Sequence, residues 1–158
     1  MSNEVASLTL CANELQARHL RAHWQRRQIQ GDQKAWESPQ ILSLDRWVRE
    51  TWLASWPTEE LISRSKERWL WQQLIAQDAD TQNLLAPDAL AEPFMHCWKL
   101  CHQYQLYPHE VARWTPEQEL FSRLFRRFEE RLQERHWRTE AELGKVVLGM
   151  LNEGSLTV

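Results

Sequence analysis

The most suggestive chemistry in this sequence is a basic and aromatic group between positions 18 and 27. Guanidinium groups bind phosphate oxygens and aromatic rings stack on bases, so this combination is typical of a nucleic-acid-binding surface. The same spacing fits an ordinary amphipathic helix with Ala17, Leu20 and Trp24 facing inward and the arginines outward. Both interpretations stay open for this group, which consists of Arg18, His19, Arg21, His23, Trp24, Arg26 and Arg27.

A second basic run lies between positions 123 and 131 and alternates with acidic residues. Opposite charges three or four residues apart on a helix pair with each other. We therefore expect a solvated helix face with internal ion pairs, formed by Arg123, Arg126, Arg127 and Arg131 with Glu119, Glu130 and Glu134.

Cys97 and Cys101 are the candidate metal ligands, because thiolates bind zinc and residues four apart share a helix face. The flanking His96 and His102 do not share that face. Two ligands fall short of the four that a structural zinc site needs, and cysteines without a partner are among the most buried residues. The pattern favours core packing and predicts no metal site.

Catalytic signatures are missing from the sequence. Gly31 is the glycine nearest the N-terminal strands, and its spacing does not fit a phosphate-binding loop, which excludes ATP binding of that type. No Gly-x-Ser-x-Gly nucleophile pattern occurs. The carboxylate pairs Glu59/Glu60 and Glu129/Glu130 fit helix starts and charged helix faces. We predict no catalytic residue, no cofactor and no enzymatic activity for this chain.

Composition sets the broad class. The chain has 158 residues, 42% of them hydrophobic, and carries a net charge of −3. Four glycines and six prolines leave little material for tight hairpins, which argues against an all-β fold. Three cysteines, no apolar run that could cross a bilayer and no secretory leader predict a cytoplasmic protein without disulfides and without a membrane partner. Ten tryptophans indicate helix packing or a partner surface.

The elements that must position these residues are mainly helices. Two short strands, at 6–11 and 40–44, flank a helix over 13–30 that Asn13 caps and Gly31 ends, which is a βαβ pattern. Further helix starts are predicted at Ser43, Thr58, Pro87 or Asp88 (with Pro93 as a kink or restart), Thr115 and Thr139, and a helical turn at 108–114. The sequence predicts a mainly α fold of about six to seven helices with a small N-terminal βαβ-like edge.

Several segments resemble one protein family. They are Leu-Thr-Leu-Cys-Ala-Asn at 8–13, Ala-Arg-His-Leu-Arg at 17–21, Trp-Glu-Ser-Pro at 36–39, Ile-Leu-Ser-Leu at 41–44, Trp-Val-Arg at 47–49, and the helical stretches 97–106 and 128–137. Together they resemble the N-terminal region of bacterial "probable DNA repair proteins". That family is similar to AddB/RexB-type helicase–nuclease subunits and ends in a PD-(D/E)XK nuclease domain, which these residues do not contain.

The resemblance implies a domain organisation and a set of binding residues. Residues 1–56 would be a truncated α/β helicase-like segment and residues 57–158 a helical subdomain, as in the 1A and 1B regions of UvrD-like helicases. Asn13 matches an asparagine beside the single-stranded DNA track, and Arg18 and Arg21 match basic family positions. Cys11 and Glu14-Leu15-Gln16 depart from the family pattern.

The function implied is that of a non-catalytic N-terminal fragment of a helicase–nuclease-like protein of DNA repair or recombination. Its expected partners are single-stranded DNA, the C-terminal domains of the same polypeptide and a helicase partner subunit, and the parent protein would be a nuclease. Strong helix caps and abundant tryptophan also fit a self-contained helical protein-interaction module with no nucleic-acid role. A zinc-stabilised helical domain using Cys97 and Cys101 is a third alternative.

Overall fold

The computed structural model describes residues 7–31, 35–81, 87–108 and 115–155. The described residues are mainly helical: 68% of them lie in helices, with six α-helices and four short strands, so the predicted mainly α class is confirmed. The helices are α1 (Glu14–Gln30), α2 (Leu44–Ala54), α3 (Arg64–Ala76), α4 (Ala91–Tyr104), α5 (Pro116–Glu134) and α6 (Glu140–Asn152). The strands are β1 (Leu8–Cys11), β2 (Gln40–Ser43), β3 (Glu60–Leu61) and β4 (Trp137–Arg138).

The chain divides into two compact units, Met1–Ser55 and Trp56–Val158. In the first unit β1 and β2 pair in parallel, with Leu10 opposite Leu42, and α1 connects them as the predicted crossover helix. The buried apolar side chains of this unit are a cluster of Cys11, Ala17 and Ile41 together with Trp52 of α2. Ser43, at the end of β2, caps α2 as predicted.

The second unit begins with a strand where the sequence predicts a helix, and that prediction is wrong. The segment after Thr58 is extended, because Glu60 and Ile62 donate backbone hydrogen bonds to the carbonyls of His136 and Arg138, at 2.8 and 2.9 Å. The pairing of β3 with β4 is parallel. Helix α3 starts only after this pairing, where the Ser63 side chain accepts a hydrogen bond from the backbone of Lys66.

The other predicted helix starts of this unit fall close to the observed ones. A 3₁₀ turn (Pro87–Leu90) leads into α4, so that Pro93 lies in the first turn of the restarted helix, where its missing N–H breaks no helical bond. Thr115 and Gln118 form a reciprocal capping box on α5. Thr139 caps α6, with the Glu142 carboxylate accepting from its backbone N–H at 2.8 Å. The helical turn predicted at 108–114 falls, beyond Pro108, outside the described residues.

Aromatic rings from α3, α4 and α5 form the core of the second unit. Trp71 stacks on Phe128 with ring centroids 4.1 Å apart, and Trp98 lies against Phe125 at 4.6 Å. The indole N–H of Trp98 donates to the buried Thr139 hydroxyl at 2.9 Å, which links α4 to the start of α6. The buried side chains of α5, Leu124, Phe125, Phe128 and Leu132, lie in this core.

Among the described residues, no helix combines the length and the apolar character that crossing a bilayer would require.

Candidate nucleic-acid interface

Asn13, the first of the sequence-predicted binding residues, is the N-cap of α1. Its side-chain oxygen accepts a hydrogen bond from the backbone N–H of Gln16 at 2.9 Å, and the Gln16 side chain accepts in return from the backbone of Ala12 at 3.1 Å. This arrangement satisfies N–H groups that the first helical turn leaves without partners. The structure therefore gives Asn13 a role in starting the helix that presents the basic group.

Arg21 forms a salt bridge with Glu14, which lies two turns back along the same helix. The other carboxylate oxygen of Glu14 accepts from the hydroxyl of Ser43 at 3.1 Å. The pKa of Glu14 is lowered, chiefly by its hydrogen bond to Arg21 and further by Ser43. Because this charged network joins α1 to the end of β2, Arg21 is balanced by a carboxylate and helps to hold the helix in place.

Arg18, Arg26 and Arg27 differ from Arg21 in their surroundings. All three side chains are exposed. Within the described residues, none of them lies at salt-bridge distance from a carboxylate, and the polar contact of Arg26 is with the backbone oxygen of Ala22 at 3.3 Å. Residues 15–30 of α1 contain no acidic side chain, so these three guanidinium groups are available to an anionic ligand.

The spacing of the three arginines gives the shape of the charged face. At 1.5 Å per residue, Arg18 and Arg27 lie about 13 Å apart along the helix axis. At 100° per residue the three side chains occupy about half of the helix circumference. The exposed His19 and His23 lie within the same arc. Arg18 and Arg27 project to opposite sides of the helix with Arg26 between them, so a strand that contacts all three crosses the helix obliquely.

Trp24 and Trp36 add an aromatic edge to this face. The inward face predicted for α1 is only partly confirmed, since Ala17 is buried and Trp24 is half-buried but Leu20 is exposed. Trp24 meets Trp36, in the segment before β2, edge to face with ring centroids 6.3 Å apart. Trp36 was not among the predicted site residues, because no local spacing rule brings together two rings separated by a helix end and a loop.

The second basic run, on α5, is engaged differently from the prediction. Arg123 donates two hydrogen bonds to the Asp78 carboxylate, both at 3.0 Å, and Arg127 lies 3.7 Å from it. The expected intrahelical pairing is confirmed for Arg131 with Glu134 but is wrong for Arg123, because Asp78 follows α3 and packs across from α5. Arg123 and Arg127 therefore connect α5 to the end of α3, and the Asp78 carboxylate offsets part of their positive charge.

The cysteine pair of α4 lies half-buried, and burial raises the pKa of both thiols. His96 is exposed, whereas His102 packs on Trp98 with centroids 4.3 Å apart. Burial, and secondarily the charge of Lys145, lowers the pKa of His102 to about 4. In the described parts of the chain, no group of three or more His, Cys, Asp or Glu side chains is placed to hold a metal ion.

A surface cavity of about 250 Å³ opens in the second unit beside β4. Arg138 crosses its lining, donating to the Glu59 carboxylate at 2.7 and 3.0 Å and to Glu142 at 3.5 Å. The pKa of Glu59 is lowered, chiefly by Arg138. These ion pairs tie the segment before β3 to the first turn of α6, so the cavity's charged groups serve the packing of the unit.

Comparison with known proteins adds no relative: no family model, no curated protein and no solved structure matches this chain.

Proposed function

We propose that this chain is a non-catalytic part of a helicase–nuclease-like protein of DNA repair or recombination, and that it binds single-stranded DNA through α1. The observation that carries the proposal is the exposed arginine set Arg18, Arg26 and Arg27, which has no carboxylate partner among the described residues. The resemblance of the N-terminal segments to that family supports the same assignment.

The contrast between α1 and α5 strengthens the argument. Both helices are rich in arginine, but three arginines of α5 pair with carboxylates, as in Arg123 with Asp78. Holding a long charged side chain unpaired in the folded state gains no free energy for folding, whereas a polyanion gains entropy when it releases counterions to such a surface. Unpaired cations concentrated on one helix therefore favour a phosphate-binding role.

Asn13, Arg18 and Arg21, the residues that match the family pattern, are assigned two different roles. Arg18 is exposed and is assigned to the DNA backbone. Asn13 and Arg21 shape and anchor α1, through the N-cap and the salt bridge with Glu14. Arg26 and Arg27 extend the contact surface beyond the positions that the resemblance indicates.

The test is a titration of fluorescently labelled single-stranded oligonucleotide with the whole chain, followed by anisotropy at several salt concentrations. The triple variant Arg18→Gln/Arg26→Gln/Arg27→Gln should bind more weakly. The slope of log affinity against log salt is negative, and each lost phosphate contact reduces its magnitude by about 0.7. The loss of three contacts should therefore reduce the magnitude by about 2. Arg126→Gln is the matched control, because Arg126 is an exposed arginine on α5 with no salt bridge among the described residues.

Two results would contradict the proposal. The first is the absence of binding by the wild-type chain at low salt. The second is a loss of binding free energy in Arg126→Gln of one third or more of that in the triple variant, because one charge is removed instead of three; that result would indicate attraction to net charge without a defined surface.

A second candidate function, a helical protein-interaction module or a contact surface for other domains, is favoured by exposed apolar side chains in the second unit. Trp56 is 90% exposed and Trp69 is 47% exposed. Large exposed rings of this kind are enriched in protein interfaces. A module without a nucleic-acid role predicts no oligonucleotide binding at any salt concentration, so the same titration separates the two functions.

A further inference from the structure

Trp36 lies beside the arginine-bearing helix α1, where its ring meets that of Trp24 edge to face. We infer that the exposed part of the Trp36 ring is a base-stacking surface and that it makes the α1 interface selective for unpaired bases. This inference rests on the proposed DNA binding and adds to it a specific residue and a reason for preferring single strands.

The ring of Trp36 is supported on one side by Trp24 and is accessible. Trp24 meets it at an interplanar angle of 72°, which is the edge-to-face arrangement that aromatic pairs favour. With this support Trp36 still keeps 37% of its surface exposed. A ring with one aromatic neighbour loses less conformational entropy when a base stacks on it than a ring without neighbours.

The position of the ring relative to the charges matches a nucleotide. Arg27 follows Trp24 by one helical turn, so it lies on the adjacent surface of α1. The Trp24–Trp36 pair therefore borders the arginine-bearing face of α1, next to the position of Arg27. Bases in a duplex are stacked on each other and paired, whereas the bases of a single strand can be splayed onto an aromatic side chain.

The experiment compares two ligands that carry the same backbone charge. One is an oligo(dT) strand and the other is an abasic strand of equal length, and the whole chain is titrated with each. Stacking on one aromatic ring is worth about fivefold or more in affinity, so the wild-type chain should prefer oligo(dT) by at least that factor. The variant Trp36→Ala should lose the preference and keep the salt slope, because its phosphate contacts are intact.

Two further variants serve as controls, one for misfolding of Trp36→Ala and one for the loss of an unrelated tryptophan. Trp36→Leu retains apolar contact with Trp24 but has no aromatic face, so it should also lose the preference even if the alanine variant is poorly folded. Trp56→Ala removes a tryptophan of the second unit that is 90% exposed, and it should keep the preference.

The outcomes distinguish this inference from the proposed function. If the wild-type chain binds neither strand, both the DNA-binding proposal and this inference are overturned. If it binds both strands equally, or if folded Trp36→Leu keeps the preference, DNA binding stands and the role of Trp36 is overturned.

Discussion

At the scale of single residues, the arginines separate according to whether a carboxylate lies within reach. Arg21, Arg123 and Arg138 each hold a partner from the same unit. The Asp78 carboxylate has a side-chain exposure of only 6%, which makes its pairing with Arg123 the most protected of these contacts. Removing one partner of a protected pair leaves a charge that water does not fully solvate and therefore costs stability, whereas removing one partner of an exposed pair costs little.

The Asp78 contact yields a stability prediction. Asp78→Asn removes the charge that accepts from Arg123 and should lower the free energy of unfolding by about 1–2 kcal/mol at pH 7. The pKa of Asp78 is lowered, chiefly by Arg123, so its contribution is present above the unfolded pKa and is lost as the pH falls through the folded pKa. Urea unfolding at pH 7 and at progressively lower pH measures both effects.

Glu134→Gln is the matched control for this prediction. It removes the carboxylate partner of Arg131 in a pair whose side chains are about half exposed. Its cost should stay below about 0.5 kcal/mol. An equal decrease in the free energy of unfolding for the two variants would show that the Asp78 contact stabilises the unit no more than an exposed ion pair does.

At the scale of elements, three helices of the second unit begin with carboxylates that lie near each other. The charge on Glu67 of α3 is disfavoured by Glu142 and Glu140 of α6 and by Glu92 of α4, and is favoured by Arg64. Acidic residues in a first turn interact favourably with the helix dipole. Their mutual repulsion, added to burial, opposes that gain: burial first, then Glu142, raises the pKa of Glu67 to about 7.

The raised pKa of Glu67 predicts a pH-dependent gain from neutralisation. Because the folded state favours the protonated acid, ionisation of Glu67 costs stability that grows as the pH rises from about 4.5 to about 7. Glu67→Gln should therefore stabilise the protein by about 1–2 kcal/mol at pH 8 and by much less at pH 4. Urea midpoints at the two pH values measure the difference.

Glu119→Gln provides the comparison for that experiment. Glu119 is also in the first turn of its helix, α5, but it is exposed. Its replacement should change stability by less than about 0.5 kcal/mol at either pH. A Glu67 variant that behaves in the same way at pH 8 would contradict the proposed clustering of carboxylates.

The elements also show what sequence reasoning can and cannot reach. Helix caps depend on neighbours three residues apart, so Asn13, Ser43 and Thr115 could be identified from the sequence. The β3–β4 pairing is not local, and it overrode the helix signal after Thr58.

In the candidate site, too, local features could be predicted from the sequence and contacts between distant segments could not. The basic group of α1 follows helical spacing and was predicted, but its division into paired and unpaired arginines depends on where Glu14 lies. The Trp24–Trp36 contact and the Asp78–Arg123 pair join separate segments, and no periodicity in the sequence indicates them.

At the scale of the whole molecule, the two units differ in the size of their cores. The first unit has a buried apolar cluster of Cys11, Ala17 and Ile41 around a two-stranded parallel sheet. The second has a continuous cluster drawn from α3, α4 and α5. Chains as short as the first unit bury a smaller fraction of their surface on folding than longer chains do, and parallel pairing of two strands adds little stability.

Because their cores differ in size, we expect the second unit to fold by itself and the first unit not to. A separately expressed fragment of residues 56–158 should retain its helical circular-dichroism signal and unfold in one cooperative thermal transition, because its aromatic core lies within the fragment. A fragment of residues 1–55 should give weak helical signal and no cooperative transition at 25 °C and above, since so small a core cannot offset the loss of chain entropy. Cooperative unfolding of the isolated fragment 1–55 would contradict this account and would show that the βαβ element supporting the α1 interface is stable by itself.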